Sequence, residues 1–550
     1  MAAIDTLYAR AIEHHLAGRL REAGALYQQI LALDPNHAPS LHLLGAIAFT
    51  LGQMIPAIEL IEAAIAIDGG VSSFHNDLGE AYRVSGRIDE AAHCYVRAIQ
   101  IEQSNVAALN NLGILLHGAQ RYDEAVELYT RALAVEPDHV PARMNLGAAL
   151  IELGRADEAA AALERAQRLA PDDAKVTLNL ANARQAQNRF DDAIALYRAL
   201  LTAQPDHAEA LVNLGRALTE SGRPQESLTH YAAALATAPD LAIARFNDGV
   251  SRLVLGDLAQ GWEGFAWRWR ADAVPPHGLS GPLWDGSSLE GKSLLVHAEQ
   301  GLGDTIQFAR FLKQLSAYGA GTVTLLCQPP LKSLMRQVEG ADAVVGPDEN
   351  LPAFDARIPL LDLPRLFGTR IETIDGAPYL SIDAERADAW RGRLARPSVG
   401  LVWHGRRSHR NDRNRSMTAA TLAPLLGNER ARFVSLQKDA APGELDILRA
   451  AGTITDLGEE FADIEQLAEA VAALDLVITV DTAIAHLAGA LGRPVWIMLP
   501  FAPDWRWMMA RPDSPWYASA RLFRQRRAGD WAGVVTKVAA ALNAWSAGAC

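Results

Sequence analysis

Four short stretches of the chain combine residue types that hold phosphates or move protons. The first is Glu299-Gln-Gly-Leu-Gly-Asp304. Gly301 and Gly303 let a backbone turn tightly and approach a ligand. Asp304 falls at or near the start of a helix, where a carboxylate is either a cap or a general base toward an acceptor hydroxyl. The second, His404-Gly-Arg-Arg-Ser-His-Arg-Asn-Asp-Arg-Asn-Arg415, places five arginines between 406 and 415 of an acidic protein. A guanidinium fork matches phosphate oxygens two at a time. His404, Arg407, Arg410 and Arg413 are therefore candidates for binding a phosphate-bearing ligand, the alternative being a solvated basic loop. The third is Gln437-Lys438, where Lys438 could meet a phosphate and Gln437 a base or sugar, or both could be loop residues. The fourth is Asp481-Thr-Ala-Ile-Ala-His486. A helix starting there aims free N–H groups and its dipole at an anion. Thr482 could donate to a phosphate, Asp481 could grip a sugar hydroxyl or cap the helix, and His486 faces inward one turn later. A lone inward His is more often a satisfied core residue than a ligand.

These stretches share a position. Each follows an apolar run that reads as a buried strand: 293–297, 398–403, 432–436 and 476–480. Further strands are expected at 322–327, 341–345 and 494–499, with helices at 305–318 and 329–338. Strands alternating with helices imply parallel sheets, and such sheets bind ligands at the carboxyl ends of their strands. The pattern restarts after residue 395, which predicts two Rossmann-like lobes, 293–395 and 396–550. A linker, 271–292, precedes them and carries the chain breakers Pro275-Pro276 and Gly281-Pro282.

The first half is built differently. Gly45, Gly79, Gly113, Gly147, Gly215 and Gly249 are spaced by multiples of 34, with Ala181 in the vacant slot. Twelve residues after each stands Ala57, Ala91, Ala125, Ala159, Ala193, Ser227 or Gly261. Tyr27, Tyr95, Tyr129, Tyr197 and Tyr231 keep their own register, as do Pro35, Pro137, Pro171, Pro205 and Pro239. Small residues let two antiparallel helices approach, an aromatic fills the gap between neighbouring hairpins, and proline stops the second helix. This resembles the tetratricopeptide (TPR) repeat, whose hairpins bury their apolar faces only by stacking. The expected fold is α plus α/β: a TPR α-solenoid over 1–270 with seven to eight repeats, the aromatic last one (Trp262, Phe265, Trp267, Trp269) a cap, followed by a GT-B pair of lobes.

Two residues before the glycine slot runs a polar row, Asp77, Asn111, Asn145, Asn179, Asn213 and Asn247. Mid-helix Asn costs about 0.5 kcal/mol against Ala, so another benefit has to hold it there. A row of carboxamides can grip an extended peptide by its backbone; the alternative is bonding between repeats. The row resembles the asparagine ladder of protein O-GlcNAc transferases.

Composition narrows the class. A net charge of −14 opposes broad nucleic-acid binding. Cys94, Cys327 and Cys550 are isolated, which excludes a disulfide framework or a zinc knuckle. No 18-residue apolar run predicts a membrane span, and the charged N-terminus does not read as a secretory signal. A cytoplasmic location is the expectation.

Gly301-Leu-Gly-Asp304 and Asp481-Thr-Ala-Ile-Ala-His-Leu-Ala-Gly-Ala-Leu-Gly-Arg-Pro494 resemble the family 9, heptosyltransferase-type GT-B enzymes over about residues 285–545. That resemblance implies Asp304 as catalytic base and Asp481, Thr482 and His486 as donor contacts. The family's glycine after Asp-Thr is Ala483 here, and arginines stand where its phosphate-binding lysine is expected. The chain has no Asp-x-Asp, the metal-holding motif of GT-A enzymes, so a metal-independent transferase without cofactor, using a nucleotide sugar as co-substrate, is implied. The plan is similar to O-GlcNAc transferase and to bacterial TPR glycosyltransferases that modify flagellin. These imply a Ser/Thr protein acceptor held by the TPR groove, flagellin among the candidates. Two other readings stay open: a scaffold with a decayed GT-B part, and a transferase acting on lipopolysaccharide or another glycan.

Overall fold

The computed structural model describes residues 2–548 apart from Pro276, Ser408 and Arg410. Arg410 and Cys550 therefore lie outside the described residues. By compactness the chain divides into two units, Met1–Pro205 and Asp206–Cys550.

The first unit is six antiparallel helix pairs, from Ala2–Leu16 with Leu20–Leu33 to Ala174–Ala186 with Phe190–Ala203. From the second pair on, the first helices start at Ala38, Ser72, Val106, Val140 and Ala174, 34 residues apart. The glycine slot works inside each pair. A methyl group on Gly79 would lie 2.7 Å from the Tyr95 ring, one on Gly113 2.6 Å from Tyr129, and one on Gly147 2.5 Å from Leu163. The tyrosine thus packs on the glycine of its own hairpin, which corrects the expectation that it fills the gap between neighbouring hairpins. Between the two helices of a pair the backbone passes through left-handed φ, at Gly18, Gly52, Gly86 and Gly154 but also at Gln120 and Asn188. Four first helices of this unit are capped by a side chain, from His37, Asn105, His139 and Asp173; Asp173 accepts from the N–H groups of Lys175 and Val176.

The second unit opens with two more pairs, Ala208–Glu220 with Pro224–Thr237 and Ala242–Leu255 with Leu258–Phe265. Two parallel sheets follow. The first has strands β1 (Ser293–His297), β2 (Thr322–Leu326), β3 (Ala343–Val345) and β4 (Ala356–Pro359), in the order β3-β2-β1-β4. The second has β5 (Ser398–Val402), β6 (Arg432–Ser435), β7 (Ile454–Asp456), β8 (Leu476–Val480), β9 (Val495–Leu499) and β10 (Ala520–Arg524), in the order β10-β9-β8-β5-β6-β7. β5, β8 and β9 are buried along their whole length, as parallel strands covered on both faces must be. This is the α plus α/β layout expected. β4, β7 and β10 were not foreseen, being three to five residues long with mixed exposure. The helix expected at 305–318 is a short α-helix, Leu302–Phe308, continued by 3-10 turns to Tyr318. That expected at 329–338 shrinks to Lys332–Met335 behind a 3-10 turn.

Both sheets reverse strand order once, between β1 and β4 and between β5 and β8, and crevices at carboxyl ends open at such points. The last hairpin joins the core of the second unit: the Trp262 ring lies 5.3 Å from Trp505 and 6.2 Å from Phe308, and its indole N–H donates to Thr369 O. Among the described residues no helix is long and apolar enough to cross a membrane.

Candidate functional site

Four strand ends, those of β1, β5, β8 and β9, meet at one acidic and basic cluster. After β1 the chain turns at Gly301 into the helix Leu302–Phe308. Asp304 is the third residue of this helix, not its cap, and its Oδ2 accepts the Gly301 N–H at 2.8 Å. That is the backward half of a capping box. Its Oδ1 accepts from Arg506 Nη2. Burial pushes the Asp304 carboxyl above its ordinary value, with Asp504 adding to the push while Arg506 and the Gly301 N–H pull it down.

Arg506 sits in a single turn, Trp505–Trp507, beyond β9. Its backbone N–H and Nη1 both reach Asp504 Oδ1, at 3.0 and 2.7 Å, and its guanidinium stacks over Trp505 at 4.3 Å. Asp481 follows β8 and faces the same group: burial and the Asp504 carboxylate raise it to about 6, opposed by the Trp507 indole, Arg415 and Arg506. From the loop after β5, Arg415 Nη1 donates to Asp481 O at 3.3 Å, and its Nε lies 3.5 Å from Asp412 Oδ1. Gly405 leaves room for it, since a methyl there would meet Arg415 Nη2 at 2.7 Å. His409 joins from the same loop, held below its ordinary value by desolvation and Arg415 while Asp412, Asp504 and Asp304 act the other way. Thr482 caps the helix Ala483–Ala490 without a side-chain bond to it, and its hydroxyl lies 3.1 Å from that of Thr479. That helix begins two residues after Asp481.

Several expected donor contacts have other work. A methyl on Gly303 would lie 2.8 Å from His486 Cδ2, so this glycine lets two helices touch, not a ligand approach. His486 is buried, its Nδ1 2.9 Å from the Tyr517 hydroxyl and its ring stacked on Trp507 at 5.2 Å. Burial, Arg506 and Arg310 hold it well below its ordinary value, so it packs as a neutral ring. Gln437 Oε1 accepts the N–H groups of Trp403 and His404, both at 3.1 Å, while its Nε2 donates to Lys438 O. It ties β5 to β6, and with its Nε2 also 3.2 Å from His404 Nδ1 both ends of the carboxamide are engaged within the lobe. His404 is buried against Gln437 and lies 3.4 Å from Glu444 Oε2. Gly301, Arg407, Arg413 and Lys438 are exposed, and Arg407 reaches Glu444 at 3.4 Å. Arg415, Asp504 and Arg506 were not singled out from sequence. The rule that site residues follow strands would have pointed to Asp504-Trp-Arg-Trp507, since β9 ends at Leu499.

In the first unit the polar row is knit along the repeats. His42 Nε2 lies 2.7 Å from Asp77 Oδ2, and Asn76 donates to Asp77 Oδ1. Asn111 donates to Asn76 Oδ1 at 3.2 Å and Asn145 to Asn110 Oδ1 at 3.0 Å. Each bond uses one of the two N–H groups on a carboxamide, so capacity for a peptide remains. Asn179 is half-buried in the same unit, and Asn213 and Asn247 are half-buried in the second.

Comparison with known proteins agrees with this layout. Tetratricopeptide repeat families match residues 71–138, 116–183 and 178–259. Glycosyltransferase family 9 (heptosyltransferase) matches residues 460–498, a stretch that holds Asp481, Thr482 and His486 but not Asp304. Protein FlbA of Caulobacter vibrioides is 30% identical over 329 residues, 54% of this chain and 54% of that protein. Human tetratricopeptide repeat protein 7B is 29% identical over 92 residues, 17% of this chain and 11% of that protein. The chain thus spans 54% of the length of the first relative and 11% of the second. Among solved structures, a tetratricopeptide repeat protein from Parabacteroides merdae is 16% identical (TM-score 0.38; 43% of this chain, 92% of that one). YrrB, a TPR protein with an unusual peptide-binding site, is 19% identical (TM-score 0.30; 34% of this chain, 95% of that one). The chain thus joins tetratricopeptide repeats to a region that, over residues 460–498, is similar to glycosyltransferase family 9.

Proposed function

We propose that the protein transfers a sugar from a nucleotide-sugar donor to a Ser or Thr hydroxyl of a protein acceptor held by its repeats, without a metal. The observation that carries this reading is the convergence of Asp304, Arg415 and Asp481-Thr482 from the ends of β1, β5 and β8 on one cluster. A carboxylate whose proton affinity is raised by burial is suited to general-base work near neutral pH. Guanidinium groups and a helix N-terminus supply the positive charge that a leaving phosphate needs. In the reaction the acceptor oxygen bonds to the anomeric carbon as the bond from that carbon to the phosphate oxygen breaks. The hydroxyl proton goes to Asp304, and the electron pair leaves with the nucleotide.

Intact-mass analysis of candidate acceptors co-expressed with the chain, flagellin first, tests this. The unaltered chain should add one or more sugar masses, and Asp304→Ala should slow the addition by about 10²- to 10⁴-fold. Undiminished transfer by Asp304→Ala would remove the base assignment. If residues 206–550 alone modified the acceptor as well as the full chain, the repeats would not be the acceptor's holder, and a glycan acceptor would be the better reading.

A further inference from the structure

Within the cluster, Arg506 is the group whose arrangement is hardest to explain as framework alone. Its side chain is 8% exposed, and it bridges two carboxylates from different sheets: Asp504, beyond β9, and Asp304, beyond β1. Its Nε is buried without a hydrogen-bond partner among the described residues. Trp505 beneath the guanidinium is itself packed against Trp262, Phe265 and Trp516, so the base of the side chain is fixed while its donors are held against exchangeable acceptors. Those acceptors include the group the reaction needs. A base must offer a lone pair and hold the incoming proton; each Asp304 oxygen already accepts one bond, from Gly301 and from Arg506, and the cation weakens its hold on a proton.

We propose that Arg506 is a donor-released clasp: it occupies the Asp304 carboxylate in the free protein and turns to the phosphates of the nucleotide when these arrive, freeing the base. This rests on the transferase reading above. The chemistry favours the exchange because the fork that fits a carboxylate fits a phosphate equally well, and a nucleotide phosphate group carries at least as much charge as one carboxylate. Once the guanidinium has left, Asp304 is a half-buried carboxylate beside Asp504, and its hold on a proton strengthens. Base strength would then rise only when a donor is present, so that the acceptor hydroxyl is activated only with a sugar to receive it. Arg506 is a positioning residue for Asp304 as well as a phosphate contact.

Calorimetric titration of UDP, GDP and CMP into the full chain tests the clasp without requiring the acceptor. At least one nucleotide should bind. Asp304→Asn keeps the shape and an acceptor for the Gly301 N–H but removes the charge that competes for Arg506, so it should tighten nucleotide binding by about fivefold. Arg506→Gln should weaken it by about 10- to 100-fold, Arg506→Lys should recover part of that loss, and Asp304→Asn should have no further effect in the Arg506→Gln background. Unchanged or weakened binding by Asp304→Asn overturns the clasp even if Arg506→Gln fails to fold. Should the unaltered chain bind none of the three nucleotides, the transferase reading falls, and the clasp with it.

Discussion

Arg268 meets Glu299 with neither side chain exposed to solvent, Nη2 to Oε1 at 2.7 Å, and its Nη1 reaches Asp362 Oδ1 at 2.7 Å. Glu299 follows β1 and Asp362 follows β4, so a residue from the end of the last hairpin fills the point where the first sheet reverses its order. Burial pushes the Glu299 carboxyl up to about 7 even with the guanidinium beside it. Removing one member of such a group leaves a buried charge uncompensated. Arg268→Leu should therefore cost about 3–5 kcal/mol, read as a lower denaturation midpoint of the second unit, whereas Arg268→Leu combined with Glu299→Gln and Asp362→Asn should recover most of it. A loss below 1 kcal/mol for the single change would mean that these charges do not hold the hairpin to the sheet.

Among the elements, the hairpins differ in what their glycine slot faces. A methyl on Gly147 would meet the Leu163 side chain, which can turn aside, at 2.5 Å. A methyl on Gly249 would lie 2.6 Å from backbone atoms of Gly264 and Phe265, which cannot. Gly249→Ala should thus cost about 3 kcal/mol or more and Gly147→Ala about 1–2 kcal/mol, each offset in part by the better helix propensity of Ala. Thermal unfolding of the two variants side by side checks the order; equal losses would mean that the last hairpin packs no closer than the others. The 34-residue repeat was legible because the hairpins solve one packing problem with a small residue in one slot, glycine in most and Ala181 in one. The short strands β4, β7 and β10 were not, because three to five residues of mixed exposure carry too little period to distinguish from loops.

Across the whole molecule, acid should act through buried imidazoles. His297 is fully buried, both ring nitrogens are without hydrogen-bond partners among the described residues, and burial with His277, Arg357 and Arg268 nearby lowers it to about 3. The unfolded imidazole takes up its proton near pH 6.5 and the folded one only near pH 3. Stability from this group is therefore complete above about pH 6.5 and is lost as pH falls toward 3, at about 1.4 kcal/mol per unit. His486, lowered in the same direction, adds to the slope. Denaturant midpoints of the second unit should fall between pH 6.5 and 4, and His297→Leu should flatten that limb. An unchanged slope in the variant would assign the acid sensitivity elsewhere.

What the residues determine by themselves is periodic: the repeat, the alternation of strand and helix, and the position of Asp304, Asp481 and Thr482 just past strand ends. These follow from local spacing, which a chain carries whatever its tertiary arrangement. Which arginines face the cluster was decided only by the fold. Arg407 shares a loop with Arg415, yet it reaches Glu444 whereas Arg415 is paired with the chain after β8. Arg506 stands 202 residues from the carboxylate it holds. Gly303 and Gln437 read as ligand contacts until packing shows that a helix face and two backbone N–H groups claim them first. Direction and burial, unlike spacing, are properties of what lies opposite a side chain, and for these residues the opposite partner is distant in sequence.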